Sequence, residues 1–150
     1  MLRGLQVFVS GIALAGITLA GAAAASAQEP AAPAKPVLTL DGDAAVITLL
    51  IKPDKTAEFE SVIAKLKEAL TKSDKAERKQ QLAGLKIFKS PQQVNNSAVY
   101  VIMVDPVVKD QEYDITRLVA EVFPVEVQEV FLKYKESFAG RAITILNKVP

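Results

Sequence analysis

The chain has 150 residues and a net charge of +1, with 18 Lys and Arg against 17 Asp and Glu, and it contains no His, Cys or Trp. A balanced charge without a basic cluster argues against a nucleic-acid partner, because binding to phosphates needs concentrated Lys and Arg. Without His and Cys, the chain lacks the usual ligands of zinc, copper and haem and the usual nucleophile–base pairs of hydrolases. We therefore expect no metal site, no cofactor, no disulfide bond and no nucleic-acid partner, and the sequence indicates no catalytic residue.

The first 27 residues have the pattern of a secretory signal peptide. The segment Met1–Gln6 carries one positive charge, Arg3, and Val7–Ala25 is uncharged and mostly apolar. Small residues at Ala25-Ser26-Ala27 then provide a cleavage site ahead of a polar stretch. The pattern predicts cleavage after Ala27 and export through the general secretory route to the periplasm or the medium.

A retained membrane anchor is the alternative interpretation of this segment. Val7–Ala25 is close to the roughly 20 apolar residues that span a bilayer. Gly11, Gly16 and Gly21 and the many alanines of the second half weaken it as a membrane helix, which favours the cleaved signal. We expect contact with a membrane only through this segment, if it stays uncleaved.

Residues 28–42 are predicted to be a Pro/Ala-rich linker, and residues 43–150 to be one folded domain. Pro30, Pro33 and Pro36 stand among alanines, which is typical of an extended, semi-rigid segment. Asp41-Gly42-Asp43 is a turn signal at the start of the domain.

The domain is predicted to begin with a strand and a helix. Ala45–Lys52 is short, rich in β-branched residues and ended by Pro53-Asp54, which predicts a strand. Ser73–Gln81 is predicted to be a frayed extension of the following helix or a short separate helical turn, ending at Gly84. The apolar stripe of the helix has the spacing of one helical face and consists of Phe59, Val62, Ile63, Leu66 and Leu70.

Two further strands are predicted to follow as a hairpin. Leu85–Ser90 contains two lysines and is closed by Pro91, which suits an edge strand. Gln92–Ser97 is predicted to be the hairpin loop. Ala98–Val104 is an unbroken apolar run, which indicates a strand that is buried on both faces.

The last part of the domain is predicted to be a broken helix and a fourth strand. Asp114 is a plausible helix cap, Pro124 cannot continue a helix without the loss of a hydrogen bond, and Gly140 is a stop signal. The final strand is predicted over Ala142–Val149. The apolar stripes on the two sides of the proline are Ile115, Leu118, Val119 and Val122, then Val127, Val130, Phe131, Tyr134 and Phe138.

The element order is therefore β-α-β-β-α-β, which predicts an α+β, ferredoxin-like fold. In this arrangement a four-stranded antiparallel sheet has both helices on one face, and the first and third strands lie in the centre. Those two strands are the most apolar ones in the chain, so the pattern and the topology agree.

The strands are apolar on both faces, although only one face can lie under the helices. In the first strand, Val46, Thr48 and Leu50 alternate with a second apolar set, and the third and fourth strands behave alike. An exposed apolar face of this size usually marks an interaction site. The pattern favours a homodimer that forms through the sheet. A cover from the Pro-rich linker or from the broken second helix is the alternative.

With this element order and burial pattern, Ala45–Val149 resembles the dimeric α+β barrel superfamily, which includes antibiotic-biosynthesis-monooxygenase-like domains. The resemblance implies a barrel built from the sheets of two copies. Members that act on haem or quinones place polar residues, often including His, Asn or Trp, in the barrel cavity. This chain has no His or Trp, so it departs from their pattern at that point.

The more polar side chains of the presumed barrel face are the candidates for a binding site for a small apolar ligand. They are Thr48, Lys86, Phe88, Tyr100 and Thr144. The same residues also fit an ordinary oligomer interface, in which hydroxyl groups bond to backbone or water. Lys52 and Asp105, each at a strand end before a proline, could form an acid–base pair or simply start turns.

Three functions remain open on the sequence alone. The first is an exported, non-enzymatic α+β domain that homodimerises through its sheet and binds a small apolar ligand. The second is a cofactor-independent enzyme of the dimeric-barrel type that uses Lys86, Tyr100 or Asp105. The third is a binding or inhibitory module for another exported protein.

Overall fold

The computed structural model describes residues 35–150, which belong to one compact unit. The predicted signal peptide and residues 28–34 of the predicted linker lie outside the described residues. The elements are β1 (Ala44–Ile51), a 3-10 turn (Pro53–Lys55), α1 (Thr56–Lys72), α2 (Ala76–Gly84), β2 (Leu85–Val94), β3 (Ser97–Val104), α3 (Ile115–Val122), α4 (Val127–Ser137) and β4 (Phe138–Leu146). No helix within residues 35–150 has the length and apolar character needed to cross a membrane.

The four strands form one antiparallel sheet in the order β2-β3-β1-β4. This confirms the predicted α+β, ferredoxin-like fold. The two most apolar strands, β1 and β3, occupy the centre, and β2 is an edge strand, as its lysines predict. The register pairs Leu49 with Tyr100 and Ile47 with Ile102, so these four side chains point to the same face of the sheet.

The hairpin between β2 and β3 is tighter than the sequence predicts. Asn95 and Asn96 form a two-residue turn with φ angles of 49° and 56°, which asparagine tolerates better than most residues. The predicted end of the second strand at Ser90 and the predicted loop over Gln92–Ser97 are therefore wrong. β2 continues past Pro91, where the missing N–H leaves a shift in the pairing between Lys89 and Gln93.

The helices begin and end largely where the chain chemistry predicts. The five stripe residues of α1 are all buried. Ser73–Gln81 resolves into a separate helix, α2, which ends at Gly84. The Asp114 carboxylate caps α3 by accepting a hydrogen bond of 3.0 Å from the backbone N–H of Arg117. Pro124 lies in the break between α3 and α4.

The start of the last strand is a correction to the sequence prediction. β4 begins at Phe138, directly after α4, and Gly140 lies inside the strand, where it pairs with Leu50. Phe138 pairs with Ile51 and packs against the core. The long-range pairing with β1 therefore overrides the local stop signal of the glycine.

All the helices pack on one face of the sheet. The core cluster combines the buried stripes of α1 and α3 with alternate residues of β1 and β3, and α1 packs against both α3 and α4. The sheet residues in this core are Ala45, Ile47, Leu49, Ile51, Ala98, Tyr100, Ile102 and Val104. The broken second helix, α3 and α4, therefore covers the same face of the sheet as α1 and does not cover the other face.

The described part of the predicted linker is fixed to the domain. Leu40 belongs to the core. The backbone N–H groups of Val37 and Leu38 donate to the Glu112 carboxylate over 2.7 and 3.0 Å, and the backbone N–H of Tyr113 donates to the carbonyl of Leu38 over 2.8 Å. The packed unit thus starts upstream of the predicted boundary at residue 43.

Candidate functional site

The second face of the sheet, which we call the open face, is mainly apolar. Its side chains alternate with those of the core and belong to none of the helix-covered cluster. With strands about 4.8 Å apart and about 3.3 Å of rise per residue, four strands of eight residues give a face of roughly 500 Å². Apolar patches of this size mark interaction sites. The open face includes Val46, Thr48, Leu50, Lys86, Phe88, Val99, Val101, Met103, Ala142 and Thr144.

Four of the five predicted ligand-binding residues lie on the open face, in two rows that cross the strands. Thr48 and Phe88 share one row, since both pair with Val101. Lys86 and Thr144 stand at opposite ends of the next row. Three strand spacings separate these two residues, or about 14 Å. One copy of the chain therefore does not bring all four side chains together around one small ligand.

Tyr100, the fifth predicted residue, lies on the opposite face, and its placement with the other four is wrong. Its ring packs edge-on against Phe59, with the ring centroids 4.7 Å apart, and its hydroxyl donates to the Glu60 carboxylate over 2.6 Å. Strand alternation explains the error, because the sequence shows two alternating sets in β3 but not which set faces the helices. The register decides this by pairing Tyr100 with the core residue Leu49.

The electrostatics around Tyr100 are those of a structural contact. Burial is the main cause that raises the pKa of the Tyr100 hydroxyl, and its hydrogen bond to Glu60 acts in the same direction. The hydrogen bond from Lys89, 2.8 Å from the same carboxylate, is the main cause that lowers the pKa of Glu60. Tyr100 is therefore a neutral hydrogen-bond donor between β3 and α1, and its hydroxyl is not activated as a base or nucleophile.

The structure also separates the predicted pair of Lys52 and Asp105. Because β1 and β3 are antiparallel and Ala45 pairs with Val104, the residues after each strand lie at opposite ends of the sheet. The Lys52 ammonium group donates instead to the backbone carbonyl of Glu136 over 2.8 Å. The acid–base interpretation of this pair is therefore wrong.

A feature that sequence reasoning missed is a cavity on the helix side of the sheet. It has a volume of about 40 Å³, and its walls are mainly apolar side chains of the sheet, α1 and α3. Arg141, Tyr134 and Asp114 are among its polar lining groups. Arg141 precedes the predicted last strand, and only its pairing with Leu49 places it on the helix side of the sheet.

The fold and the open face thus lie within residues 35–150. That part of the chain contains no cluster of three or more acidic residues able to hold a metal ion. The element order, the antiparallel pairing and the placement of the helices are those of a ferredoxin-like α+β domain. In comparisons with known proteins, the chain matches no protein-family model, no curated protein and no solved structure.

Proposed function

We propose that the chain is an exported α+β domain that works as a homodimer, in which the open faces of two copies pack against each other as in a dimeric α+β barrel. The observation that carries this proposal is the apolar character of a whole sheet face that the helices leave uncovered. Apolar sheet faces are buried by packing on a second layer, and sheets stack about 10 Å apart.

The described residues offer no other cover for this face. The broken second helix packs with α1 on the opposite side of the sheet. The described part of the linker also runs on that side, since Leu38 lines the helix-side cavity and Leu40 belongs to the core. Within residues 35–150, the linker and the broken second helix thus both pack on the helix side and do not cover the open face.

A second copy also matches the open face in its charge pattern. The central strands contribute apolar side chains such as Val46, Leu50 and Val101, whereas the charged Lys86 lies on the edge strand β2. Two such faces can pack their apolar centres together and leave the lysines at the rim, where they stay hydrated. A two-fold dimer needs this self-complementarity, because the same patch serves both partners.

A small apolar ligand between the two sheets completes the proposal. Thr48 lies on a central strand of the open face, so its hydroxyl and that of the second copy would both reach the interior. A largely apolar space with a few polar groups is typical of small-molecule sites. Because Lys86 and Thr144 are too far apart within one copy, the second sheet would be needed to bring polar groups together.

Export rests on the pattern of residues 1–27, which predicts a Sec-type signal peptide. Intact-mass analysis of protein recovered from the exported fraction of an expressing bacterium tests it directly. We expect a mass that corresponds to a chain starting at Gln28. A full-length chain found in the membrane fraction would instead support the retained anchor.

Native mass spectrometry of the same material tests the dimer and the ligand together. We expect twice the mass of the mature chain, and an additional small mass if a ligand is retained. A monomer without any partner would contradict the homodimer. A monomer in a stoichiometric complex with another exported protein would favour the binding-module hypothesis instead.

A further inference from the structure

The helix-side cavity combines an apolar interior with a cationic lining residue. Leu49 and Ile102 form part of its floor on the sheet, and Leu66 and Leu118 form part of its roof on α1 and α3. Arg141, which is solvent-exposed, and the half-buried Tyr134 also line the cavity. Its lining therefore includes an arginine that is accessible to solvent.

Arg141 has no carboxylate within ion-pair distance among residues 35–150, although the same residues form many such pairs. Its neighbour at the cavity is the Tyr134 hydroxyl. Burial raises the pKa of this hydroxyl, and the nearby Arg141 charge opposes that increase. A guanidinium group and a neutral hydroxyl donor thus lie together in the lining of a mainly apolar cavity.

Asp114, the acidic group at the cavity, is already engaged by α3. Its carboxylate accepts hydrogen bonds from the backbone N–H of Arg117 at 3.0 Å and from the hydroxyl of Thr116 at 2.5 Å. Its charge is therefore partly compensated by the N-terminus of the helix that it caps. Asp114 also forms no ion pair with Arg141 among residues 35–150, so the planar donor groups of Arg141 are available for the carboxylate of a ligand.

We propose that this cavity binds a short-chain carboxylate, with the carboxylate group on the Arg141 guanidinium and the alkyl chain between the sheet and α3. Arginine matches a carboxylate with two parallel hydrogen bonds, and the Tyr134 hydroxyl offers a further donor. One water needs about 10–15 Å³ of such a volume, so the cavity has room for about three water-sized groups. That size fits a chain of about three or four carbons and excludes long fatty acids without rearrangement.

The test is a titration of the methyl-labelled full protein with sodium butyrate, followed by NMR. Butyramide, which has the same shape and no charge, is the matched control ligand. A ligand of this size binds in the millimolar range at ordinary ligand efficiency. We expect saturable shifts of the methyl groups of Leu49, Ile102 and Leu118 with butyrate, and affinity for butyramide that is weaker by at least about tenfold, since a charged hydrogen-bonded pair is lost.

Arg141→Gln should weaken butyrate binding to the level of butyramide, whereas Arg117→Gln, which removes an exposed arginine outside the cavity lining, should leave it unchanged. Equal affinities for butyrate and butyramide in the wild-type protein would overturn the proposal, even if Arg141→Gln fails to fold. The absence of saturable shifts would also overturn the proposal, and so would shifts that are confined to open-face residues such as Val101. Binding in this cavity does not depend on the oligomeric state. Failure of the carboxylate proposal can therefore be distinguished from failure of the proposed dimer.

Discussion

Tyr100 donates its hydroxyl hydrogen to the Glu60 carboxylate over 2.6 Å and so joins a central strand to α1. The carboxylate also accepts from Lys89 on the edge strand β2, over 2.8 Å. Three elements therefore meet at one acidic group on the helix side of the sheet. This contact removes Tyr100 from the candidate binding surface and gives it a role in stability.

Tyr100→Phe should lower the free energy of unfolding and leave the assembly intact. The variant keeps the ring packed against Phe59 and removes one hydrogen bond, and the loss is moderate because solvent screens the half-exposed Glu60 carboxylate. Urea denaturation measures the stability, and sedimentation measures the assembly. Dissociation of the dimer at unchanged stability would contradict this assignment and return Tyr100 to the interface.

The ion pair of Arg78 and Glu121 should make stability depend on pH below neutrality. Arg78 is only 4% exposed and donates to both oxygens of Glu121, over 2.6 and 3.0 Å. This contact is the main cause that lowers the pKa of Glu121. A carboxyl group with a lowered folded-state pKa stabilises the fold above its unfolded pKa of about 4.3, and this contribution is lost as the pH falls through the folded-state pKa.

Glu121→Gln should therefore destabilise the protein at pH 7 and lose most of this effect at the acid end of the unfolding range. Urea denaturation at a series of pH values measures the difference. Glu77→Gln serves as the control, since Glu77 lies on exposed helix surface and has no ion pair among the described residues. A penalty that is the same at every pH would show that packing, and not charge, is what the substitution removes.

We predict that the Glu112 carboxylate fixes residues 37–40 to the domain. It is 6% exposed and accepts hydrogen bonds from four backbone N–H groups, those of Val37, Leu38, Tyr113 and Asp114. Glu112→Gln replaces one acceptor oxygen by an NH₂ group, which leaves a backbone donor unpaired. We expect a cost of about 1–3 kcal/mol.

Hydrogen exchange locates this loss. The amides of Val37 and Leu38 should exchange faster in Glu112→Gln, whereas Glu129→Gln, which breaks a surface pair with Lys133, should change neither their exchange nor the stability measurably. Unchanged exchange at Val37 in Glu112→Gln would mean that the buried Leu40 and the backbone hydrogen bond from Tyr113 to Leu38 hold the segment without the carboxylate.

The features that follow from local chemistry were predictable from the sequence. The stripe Phe59 to Leu70 identifies α1 because an amphipathic helix repeats its apolar residues at a fixed spacing. Asp114 and Pro124 mark the start of α3 and the break before α4 because each changes the hydrogen bonding of a helix terminus. The two most apolar strands, β1 and β3, correctly indicated the centre of the sheet.

What could not be predicted depends on pairing between distant residues. The sequence predicts that the helix ends at Gly140, but pairing with β1 extends β4 back to Phe138. Tyr100 and Val101 are equally plausible on either face until the register with Leu49 and Thr48 is known. Arg141 joins Tyr134 and Asp114 at one cavity only after the sheet and the helices have packed.

Sedimentation equilibrium of two matched phenylalanine variants tests the homodimer most directly. Phe88 lies on the open face and is 53% exposed, and Phe131 lies on α4 and is 42% exposed. Both phenylalanines have a lysine close by, so a lysine introduced at either position meets a similar local charge. At micromolar concentration we predict a dimer for the wild-type protein and for Phe131→Lys, and a folded monomer for Phe88→Lys. A monomeric wild-type protein, or a Phe88→Lys variant that stays dimeric, would contradict assembly through the open face.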